Sequence, residues 1–166
     1  MSKYNAGVLV MSDSRHEDIS LDLSGAKIKE ILNENGFDVL KYEVISDDLD
    51  GIREKLVKWC DEDKLDLIIT SGGTGLSKRD NTPEATLEVI DKEVRGIAEA
   101  MRSYSVSITK KGMLSRGVCG IRKDTLIINL PGSLKATKEC LDYILPVLDH
   151  ALGILKGSIH NCGSSS

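Results

Sequence analysis

The chain has 166 residues, a length that suits one domain with a continuous core and is short for two. Hydrophobic residues make up 40% and charged residues 29%, as in ordinary globular proteins. Aromatic residues make up only 4%, so we expect an aliphatic core and few rings for stacking on a ligand. The net charge of −4 argues against a general nucleic-acid surface, so any anionic ligand must be held by a local group of residues.

The cysteines and the apolar runs bear on cellular location. The four cysteines are widely spaced and form no C-x-x-C pair: Cys60, Cys119, Cys140 and Cys162. Because the chain also opens without the features of a signal peptide, we expect free thiols and a cytoplasmic protein. No apolar run approaches the about 18 residues of a membrane span, and the three histidines lack zinc-ligand spacing, so we expect neither a membrane nor a zinc site.

The first 70 residues alternate between apolar strands and amphipathic helices. Strands are predicted at 5–12, 37–45 and 65–69, and helices at 21–35 and 50–60. This alternation predicts a parallel sheet covered by helices on both faces. Ligands of such sheets bind beyond the carboxyl ends of the strands, which is where Ser12, Asp13, Ser14 and Asp47 fall. The alternative is that Ser12 to Ser14 form only a turn that caps a helix.

The most distinctive stretch follows the third predicted strand. It combines glycines, hydroxyl residues, cations and a carboxylate: Ser71, Gly72, Gly73, Thr74, Gly75, Ser77, Lys78, Arg79 and Asp80. A helix is predicted to begin after it, with Thr82 as N-cap and Pro83 at the first helical position. Glycines let backbone N–H groups approach an anion, so the loop suits a phosphorylated ligand. A plain tight turn is the alternative, because neither the P-loop nor the dinucleotide glycine spacing is present.

The second half of the chain continues the pattern with two further apolar strands. We predict a helix at 94–104, a short strand at 118–121 that pairs back through a turn, and a core strand at 125–130. Pro131 and Gly132 then form a turn, and Ser133 caps a helix at 134–144. Pro146 should kink that helix or divide it from 147–155. We expect one domain at 1–156 and a disordered tail at 157–166.

The string Ser71-Gly-Gly-Thr-Gly75, followed by Arg79-Asp80 and Thr82-Pro-Glu-Ala85, closely resembles the molybdopterin adenylyltransferase family, the MoaB/Mog proteins of molybdenum cofactor synthesis. Further matching strings lie at 8–13, 114–116, 120–122 and 125–133. The resemblance implies a three-layer α/β/α sandwich with a mostly parallel central sheet, the molybdopterin-binding-domain fold. It also implies Mg-ATP-dependent adenylylation of molybdopterin with release of pyrophosphate, a homotrimer or hexamer, and the molybdenum insertase as a candidate partner.

The resemblance also implies roles for particular residues. Asp80 and Asp47 would be catalytic, and Ser115 would bind the pterin. From the chemistry of the residues we also expect Asp80 to hold Mg²⁺, a hard ion that prefers carboxylates and phosphates, and we assign Asp47 to the pterin side together with Ser115. The residues implied to contact molybdopterin or ATP are Ser12, Asp13, Ser14, Ser71, Gly72, Gly73, Thr74, Gly75, Arg79, Ser115, Arg116, Pro131, Gly132 and Ser133. Lys78, Arg79, Arg116 or Arg122 would offset phosphate charge, which arginine does with a planar fork of donors.

Plainer interpretations of the same residues stay open. Asp47 and Asp80 could each cap the helix that follows, and Lys78 and Arg79 could be a solvated charge pair. At the level of the whole protein, the alternatives are a pterin-binding or scaffolding module without turnover, a domain of a larger metal insertase, and an unrelated nucleotide-binding protein. Ser46, Asn81 and Leu134 depart from the residues usual in the family, which leaves the MoaB or Mog subgroup open.

Overall fold

A computed structural model describes residues 4–159. Its strands are β1 (Tyr4–Met11), β2 (Phe37–Ile45), β3 (Leu67–Ser71), β4 (Lys92–Glu93), β5 (Cys119–Arg122) and β6 (Thr125–Leu130). Its α-helices are α1 (Asp13–Glu17), α2 (Leu23–Glu34), α3 (Leu49–Asp61), α4 (Thr82–Val89), α5 (Arg95–Ile108) and α6 (Leu134–Leu155). Short 3₁₀ segments lie at Ile19–Leu21 and Lys110–Leu114.

The strands form one sheet in the order β2-β1-β3-β6-β5-β4. The first four in this order are mutually parallel, whereas β5 is antiparallel to β6 and β4 is antiparallel to β5. The chain moves outward from β1 to β2 and then returns past β1 to β3, so the strand order reverses between β1 and β3. In open α/β sheets, ligands bind at the carboxyl ends of the strands at such a switch point.

Alternate side chains of the parallel strands enter two separate apolar cores. On β1, Val8 and Val10 pack with α2, α5 and α6 on one face of the sheet. Leu9 and Met11 point the other way and pack with α3 and α4. This period-two alternation puts a helical layer on each face. The three-layer α/β/α sandwich with a mostly parallel sheet is therefore confirmed.

The predicted elements differ from the observed ones mainly at their ends. The strand bounds 37–45 and 125–130 are confirmed, and the 118–121 strand pairs with β6 as expected. The third strand begins later than predicted, at Leu67, and the five-residue helix α1 was not predicted. Thr82 is not the N-cap of α4. Asn81 holds that position, and the Thr82 hydroxyl instead donates to the Gly72 carbonyl.

Pro146 does not divide the last helix, because α6 runs continuously from Leu134 to Leu155. Proline removes one backbone donor, but Ile144 and Leu148 on either side of it are buried in the core and hold the helix together. The predicted tail begins at residue 157, yet Gly157 and Ser158 donate backbone N–H groups to the last turn of α6. Residues 160–166 lie outside the described part.

Thiol burial and helix hydropathy complete the description. Cys60, Cys119 and Cys140 are free and buried, as expected, while Cys162 lies outside the described residues. Burial raises the pKa of Cys60 to about 11 and that of Cys119 to about 12. Within residues 4–159, no helix has both the length and the hydropathy to cross a membrane.

Candidate active site

Three loops meet at Gly72, where the carboxyl ends of β1, β3 and β6 come together. Gly72 has a φ of +92°, and a Cβ there would overlap the carbonyl oxygen of Met11 at the end of β1. On its other side, a Cβ on Gly132 would lie 3.3 Å from Gly72 Cα. Only a residue without a side chain allows this approach in this backbone conformation. The glycine therefore brings the loops after the three strands into contact.

In the glycine-rich loop after β3, the carbonyl groups of residues 72–75 all accept hydrogen bonds from neighbouring residues. Thr82 donates its hydroxyl to Gly72 O at 2.8 Å and its N–H to Gly73 O at 3.1 Å. Arg116 donates its N–H to Thr74 O at 2.9 Å and its Nε–H to Gly75 O at 2.7 Å. In contrast, the N–H groups of Gly73, Thr74 and Gly75 have no acceptor among the described residues. Three successive unpaired backbone N–H donors suit an anion.

Arg116 holds this loop rather than presenting a free cation. Besides its bond to Gly75, its guanidinium donates to the carbonyl of Asp80 at 2.8 Å and pairs with the carboxylate of Glu84 on α4. Three of its five N–H donors are thus used on the loop and on the helix that follows. The implied phosphate contact of Arg116 stays untested, and the contacts present assign it to positioning the loop.

Asp80 and Asp47 both face the glycine-rich loop. A Cβ on Gly75 would lie 2.9 Å from Asp80 Oδ2, and a Cβ on Gly73 would lie 3.3 Å from Asp47 Oδ1. Neither aspartate caps a helix, since the cap of α3 is Asp48 and that of α4 is Asn81. The capping alternative is therefore wrong for both. Asp80 instead accepts the Ser77 N–H at 2.9 Å, within its own loop.

The surroundings of Asp47 disfavour its charge. Its carboxylate accepts the N–H of Asp13 at 3.1 Å, and its own N–H donates to the Asp13 carboxylate at 3.0 Å. Burial raises the pKa of Asp47, and the charges of Asp13 and Asp80 raise it further, while the hydrogen bond from Asp13 acts in the opposite direction. The mutual effect places the three carboxylates in one electrostatic group beside the glycine-rich loop.

Arg79 is an exposed residue that pairs with one of these three carboxylates. It donates to both carboxylate oxygens of Asp13, at 3.1 Å from Nε and 2.8 Å from Nη2. The hydrogen bond from Arg79 is the main reason that the pKa of Asp13 is lowered. Arg79, in the glycine-rich loop, is thus paired with α1 and is not simply solvated.

Several predicted hydroxyl groups hold the loops together. Ser12 caps α1 by accepting the Arg15 N–H at 3.3 Å, so the capping alternative describes it correctly. Ser133 caps α6, as predicted, by accepting the Ala136 N–H at 3.3 Å. The buried Ser71 hydroxyl donates to the Pro131 carbonyl at 2.8 Å, linking the ends of β3 and β6. The Ser14 hydroxyl is exposed and lies 3.3 Å from that of Ser12.

Two predicted residues make no hydrogen bond to the carboxylates of Asp47 or Asp80 within residues 4–159. Ser115 accepts the Gly117 N–H at 3.4 Å before β5, and it directly precedes Arg116, whose guanidinium donates to the Asp80 carbonyl. Arg122 is opposite Thr125 at the start of β6, and it pairs with Asp61. It therefore lies at the far end of the sheet from the glycine-rich loop, and its suggested role beside a phosphate is wrong.

The sequence analysis missed two donors that hold the turn after β6. Arg15 and Ser24 both donate to the Gly132 carbonyl, with Ser24 Oγ at 2.8 Å. Asp22, which caps α2, precedes Ser24, and this capping pattern could have marked the start of the helix. No local pattern could have identified Arg15, because its partner is 117 residues further along the chain.

The donor set fits a hard divalent cation that shares its coordination with a substrate. Within residues 4–159, no three His, Cys, Asp or Glu side chains are grouped to hold a metal by themselves. Mg²⁺ is commonly bound by one or two carboxylates together with water and substrate phosphates, and Asp80 and Asp47 offer that number beside the free N–H groups. The residues present therefore suit magnesium bound together with a phosphorylated substrate.

The fold and the site together define a class: open α/β proteins with a glycine-rich, acid-flanked loop at the switch point of the sheet. Within this class, residues 7–150 match the family described as "probable molybdopterin binding domain", and the chain belongs to that family.

Relatives agree with this membership in sequence and in structure. The chain is 41% identical to a molybdopterin adenylyltransferase of Helicobacter pylori, over 95% of this chain and 91% of the relative. It is 36% identical to molybdenum cofactor biosynthesis protein B of Staphylococcus epidermidis, over 95% of this chain and 92% of the relative. The crystal structure of the molybdopterin biosynthesis enzyme MoaB of Thermus thermophilus is 45% identical, with a TM-score of 0.87 over 93% of this chain and 97% of that one.

Proposed function

We propose that this protein adenylylates molybdopterin with Mg-ATP during molybdenum cofactor synthesis and releases pyrophosphate. The observation that carries the proposal is the run of unpaired N–H groups at Gly73, Thr74 and Gly75, flanked by the carboxylates of Asp80 and Asp47. An anion-binding surface beside metal-type ligands suits a nucleotide with its cation. The name of the Helicobacter relative supports adenylyl transfer to molybdopterin, and that of the Staphylococcus relative supports the pathway.

The reaction joins two anions, so the site must offset the repulsion between their negative charges. An oxygen of the molybdopterin phosphate attacks the α-phosphorus of ATP, and the bond from that phosphorus to the pyrophosphate oxygen breaks. The free N–H groups of residues 73–75 bind phosphate oxygens and stabilise charge without reorganising, because Thr82 and Arg116 already hold their carbonyls. Asp80, with Asp47 beside it, would hold magnesium, which offsets the charge of the triphosphate.

We propose a division of the site between the two substrates. Asp47, Asp80 and the free N–H groups lie together, so we assign them to the nucleotide and its cation. Ser115 precedes β5 and Asp47 follows β2, strands that are not neighbours in the sheet, and we assign Ser115 to the pterin. This differs from our prediction from the sequence, which assigned Asp47 to the pterin side together with Ser115.

The decisive experiment incubates the purified protein with molybdopterin, ATP and Mg²⁺ and measures adenylylated molybdopterin and pyrophosphate. We expect both products in equal amounts and neither when molybdopterin, ATP or Mg²⁺ is omitted. Binding of both substrates without either product would favour the alternative, a pterin-binding or scaffolding module of the same fold. The protein would then bind molybdopterin in the same cytoplasmic pathway but leave adenylylation to another enzyme.

A further inference from the structure

Arg15 places a guanidinium beside the meeting point of the three loops. From α1 it reaches the turn after β6, where Nη1 and Nη2 lie 3.3 and 3.4 Å from the carbonyl oxygen of Gly132. Gly132 in turn packs on Gly72, the first glycine of the loop that carries the free N–H groups. The side chain is 28% exposed, so it is anchored to the protein and still accessible to solvent.

A buried carboxylate lies next to this guanidinium, and a tyrosine in turn donates to that carboxylate. The Asp22 side chain is fully buried, and its Oδ1 lies 3.7 Å from Arg15 Nη1. Asp22 satisfies its own lone pairs elsewhere, because Oδ1 accepts the Gly25 N–H at 3.0 Å and Oδ2 accepts the Tyr42 hydroxyl. The negative charge of Asp22 therefore attracts the Arg15 guanidinium, but Asp22 accepts no hydrogen bond from it, so the Arg15 donors are not used on Asp22.

The other arginines at these loops are committed to protein partners. Arg79 uses two of its five N–H donors on the carboxylate of Asp13, and Arg116 uses three of its five on the carboxylate of Glu84 and on two carbonyls. Arg15, by contrast, makes no hydrogen bond to a carboxylate among the described residues. Arg15 uses one N–H on each terminal nitrogen for a single carbonyl oxygen. Its Nε–H and the remaining terminal N–H groups have no hydrogen-bond acceptor among the residues that the structure describes.

On the basis of the proposed function, we propose that Arg15 binds a phosphate group of a substrate, and that Asp22 and Tyr42 are the positioning residues that aim its guanidinium. A planar fork with unused donors matches two oxygens of a phosphate. The phosphate belongs either to molybdopterin or to the nucleotide. Both present the same chemistry to Arg15, and separate binding measurements distinguish them.

The test compares Arg15→Gln and Arg15→Lys with the parent protein, measuring molybdopterin binding and ATP binding separately by calorimetry. Arg15→Gln should weaken binding of one ligand by about tenfold or more, since charged hydrogen bonds are lost, and the ligand affected identifies the phosphate. Arg15→Lys keeps the charge but not the fork and should restore part of the loss. Arg53→Gln is the matched control, because Arg53 pairs with Asp50 and Glu88 on α3 and α4.

Tyr42→Phe tests the positioning role and does not depend on the folding of an Arg15 variant. It removes only the hydroxyl that donates to Asp22, and it should raise the KM for the same ligand about threefold to tenfold with kcat almost unchanged. Equal loss of both ligands in Arg15→Gln without partial recovery in Arg15→Lys would show that Arg15 only holds the Gly132 turn, and would overturn the proposal.

Binding of both ligands by Arg15→Gln within twofold of the parent would likewise reject Arg15 as a phosphate ligand while leaving the proposed function intact. A parent protein that binds neither molybdopterin nor ATP would reject both proposals together.

Discussion

Asp80 and Asp91 each accept one backbone N–H with the side-chain carboxylate. Asp80 accepts the Ser77 N–H at 2.9 Å within its own loop, and Asp91 accepts the Lys123 N–H at 2.7 Å from the turn between β5 and β6. We expect the loss of either hydrogen bond to cost a similar stability. Only Asp80 lies against the glycine-rich loop, with its carboxylate 2.9 Å from where a Cβ of Gly75 would stand. Comparing variants of the two aspartates therefore distinguishes an effect on folding stability from an effect on catalysis.

We predict that Asp80→Ala lowers kcat for adenylylation by about 10²-fold or more, because it removes charge stabilisation that is strongest in the transition state. Its free energy of unfolding should fall by only about 1 kcal/mol, the value of one hydrogen bond. Asp91→Ala should lose similar stability in urea denaturation and keep its activity. Activity of Asp80→Ala within a few fold of the parent would remove Asp80 from the mechanism.

At the scale of elements, the glycine-rich loop is fastened to α4 through a contact that tolerates no side chain. Gly73 has a φ of +70°, and a Cβ there would overlap the Thr82 hydroxyl, which itself donates to Gly72 O. Gly36, between α2 and β2, has a φ of +87° but no atom within 4 Å of the same position. The two glycines share a backbone conformation and differ in surroundings.

This difference predicts unequal effects of alanine. Gly36→Ala should cost about 1 kcal/mol of unfolding free energy, the strain of a left-handed conformation. Gly73→Ala should cost about 1–3 kcal/mol more, because the overlap with Thr82 must be relieved by moving the loop or α4. Chemical denaturation of both variants measures the difference. Equal losses would mean that the loop adapts freely and is not held by Thr82.

The end of α3 is joined to β5 by the ion pair of Asp61 with Arg122. Arg122 donates to both carboxylate oxygens of Asp61, at 3.0 Å from Nε and 2.8 Å from Nη2. This hydrogen bonding is the main cause of the lowered pKa of Asp61, opposed by partial burial and assisted by Lys123. The pKa of Asp61 is lower in the folded state than its ordinary value of 3.8. Ionised Asp61 therefore stabilises the folded protein at pH values above 3.8, and this stabilisation is lost as the pH falls through the pKa of the folded state.

We therefore expect Asp61→Asn to lower the free energy of unfolding by up to about 1 kcal/mol at pH 7, as for other partly exposed ion pairs. The difference from the parent should shrink below the ordinary carboxyl pKa. Urea denaturation between pH 7 and pH 3 measures this, and Arg122→Met should remove most of the same pH dependence. A difference that stays constant over this range would show that ionisation of Asp61 contributes nothing.

At the scale of the whole molecule, α5, the 3₁₀ segment after it and α6 present an apolar surface. Its exposed members are Ile108, Met113, Leu114, Tyr143 and Val147, and we call it the α5–α6 surface. Tyr104 stacks on Tyr143 at 4.3 Å between ring centroids, which gives the surface a rigid aromatic centre. The helix predicted at 94–104 is observed as α5, which continues to Ile108 and buries Ala98 and Met101.

We propose that the α5–α6 surface forms the interface of a homotrimer, the assembly implied by the family resemblance. A closed ring repeats one heterologous contact, and a stable one should bury roughly 2,000 Å². Light scattering at micromolar concentration should give three times the 18.1 kDa chain mass. Met113→Asp should reduce the mass to that of one chain, whereas Leu87→Asp, on α4, should not. A parent protein of 18.1 kDa would contradict the trimer, while a hexamer would preserve the interface.

The sequence alone determined the elements whose signals are local. The bounds of β2 and β6 follow from compact apolar runs, and the cap at Ser133 follows from its place before a helix. The glycine-rich loop was recognisable because glycine spacing, hydroxyls and charges lie within a few residues of one another. Periodicity and capping are properties of neighbouring residues, so they can be read without knowing the fold.

Only the tertiary structure decided which groups of the site are free and which are committed. Arg116 and Arg15 are equivalent cations in the sequence, yet in the fold Arg116 hydrogen-bonds the carboxylate of Glu84 and the carbonyls of Asp80 and Gly75, whereas Arg15 hydrogen-bonds only the carbonyl of Gly132. The continuity of α6 through Pro146 likewise depends on burial of the flanking turns. These outcomes depend on contacts between residues far apart in the chain, which strand order and packing establish and local pattern does not contain.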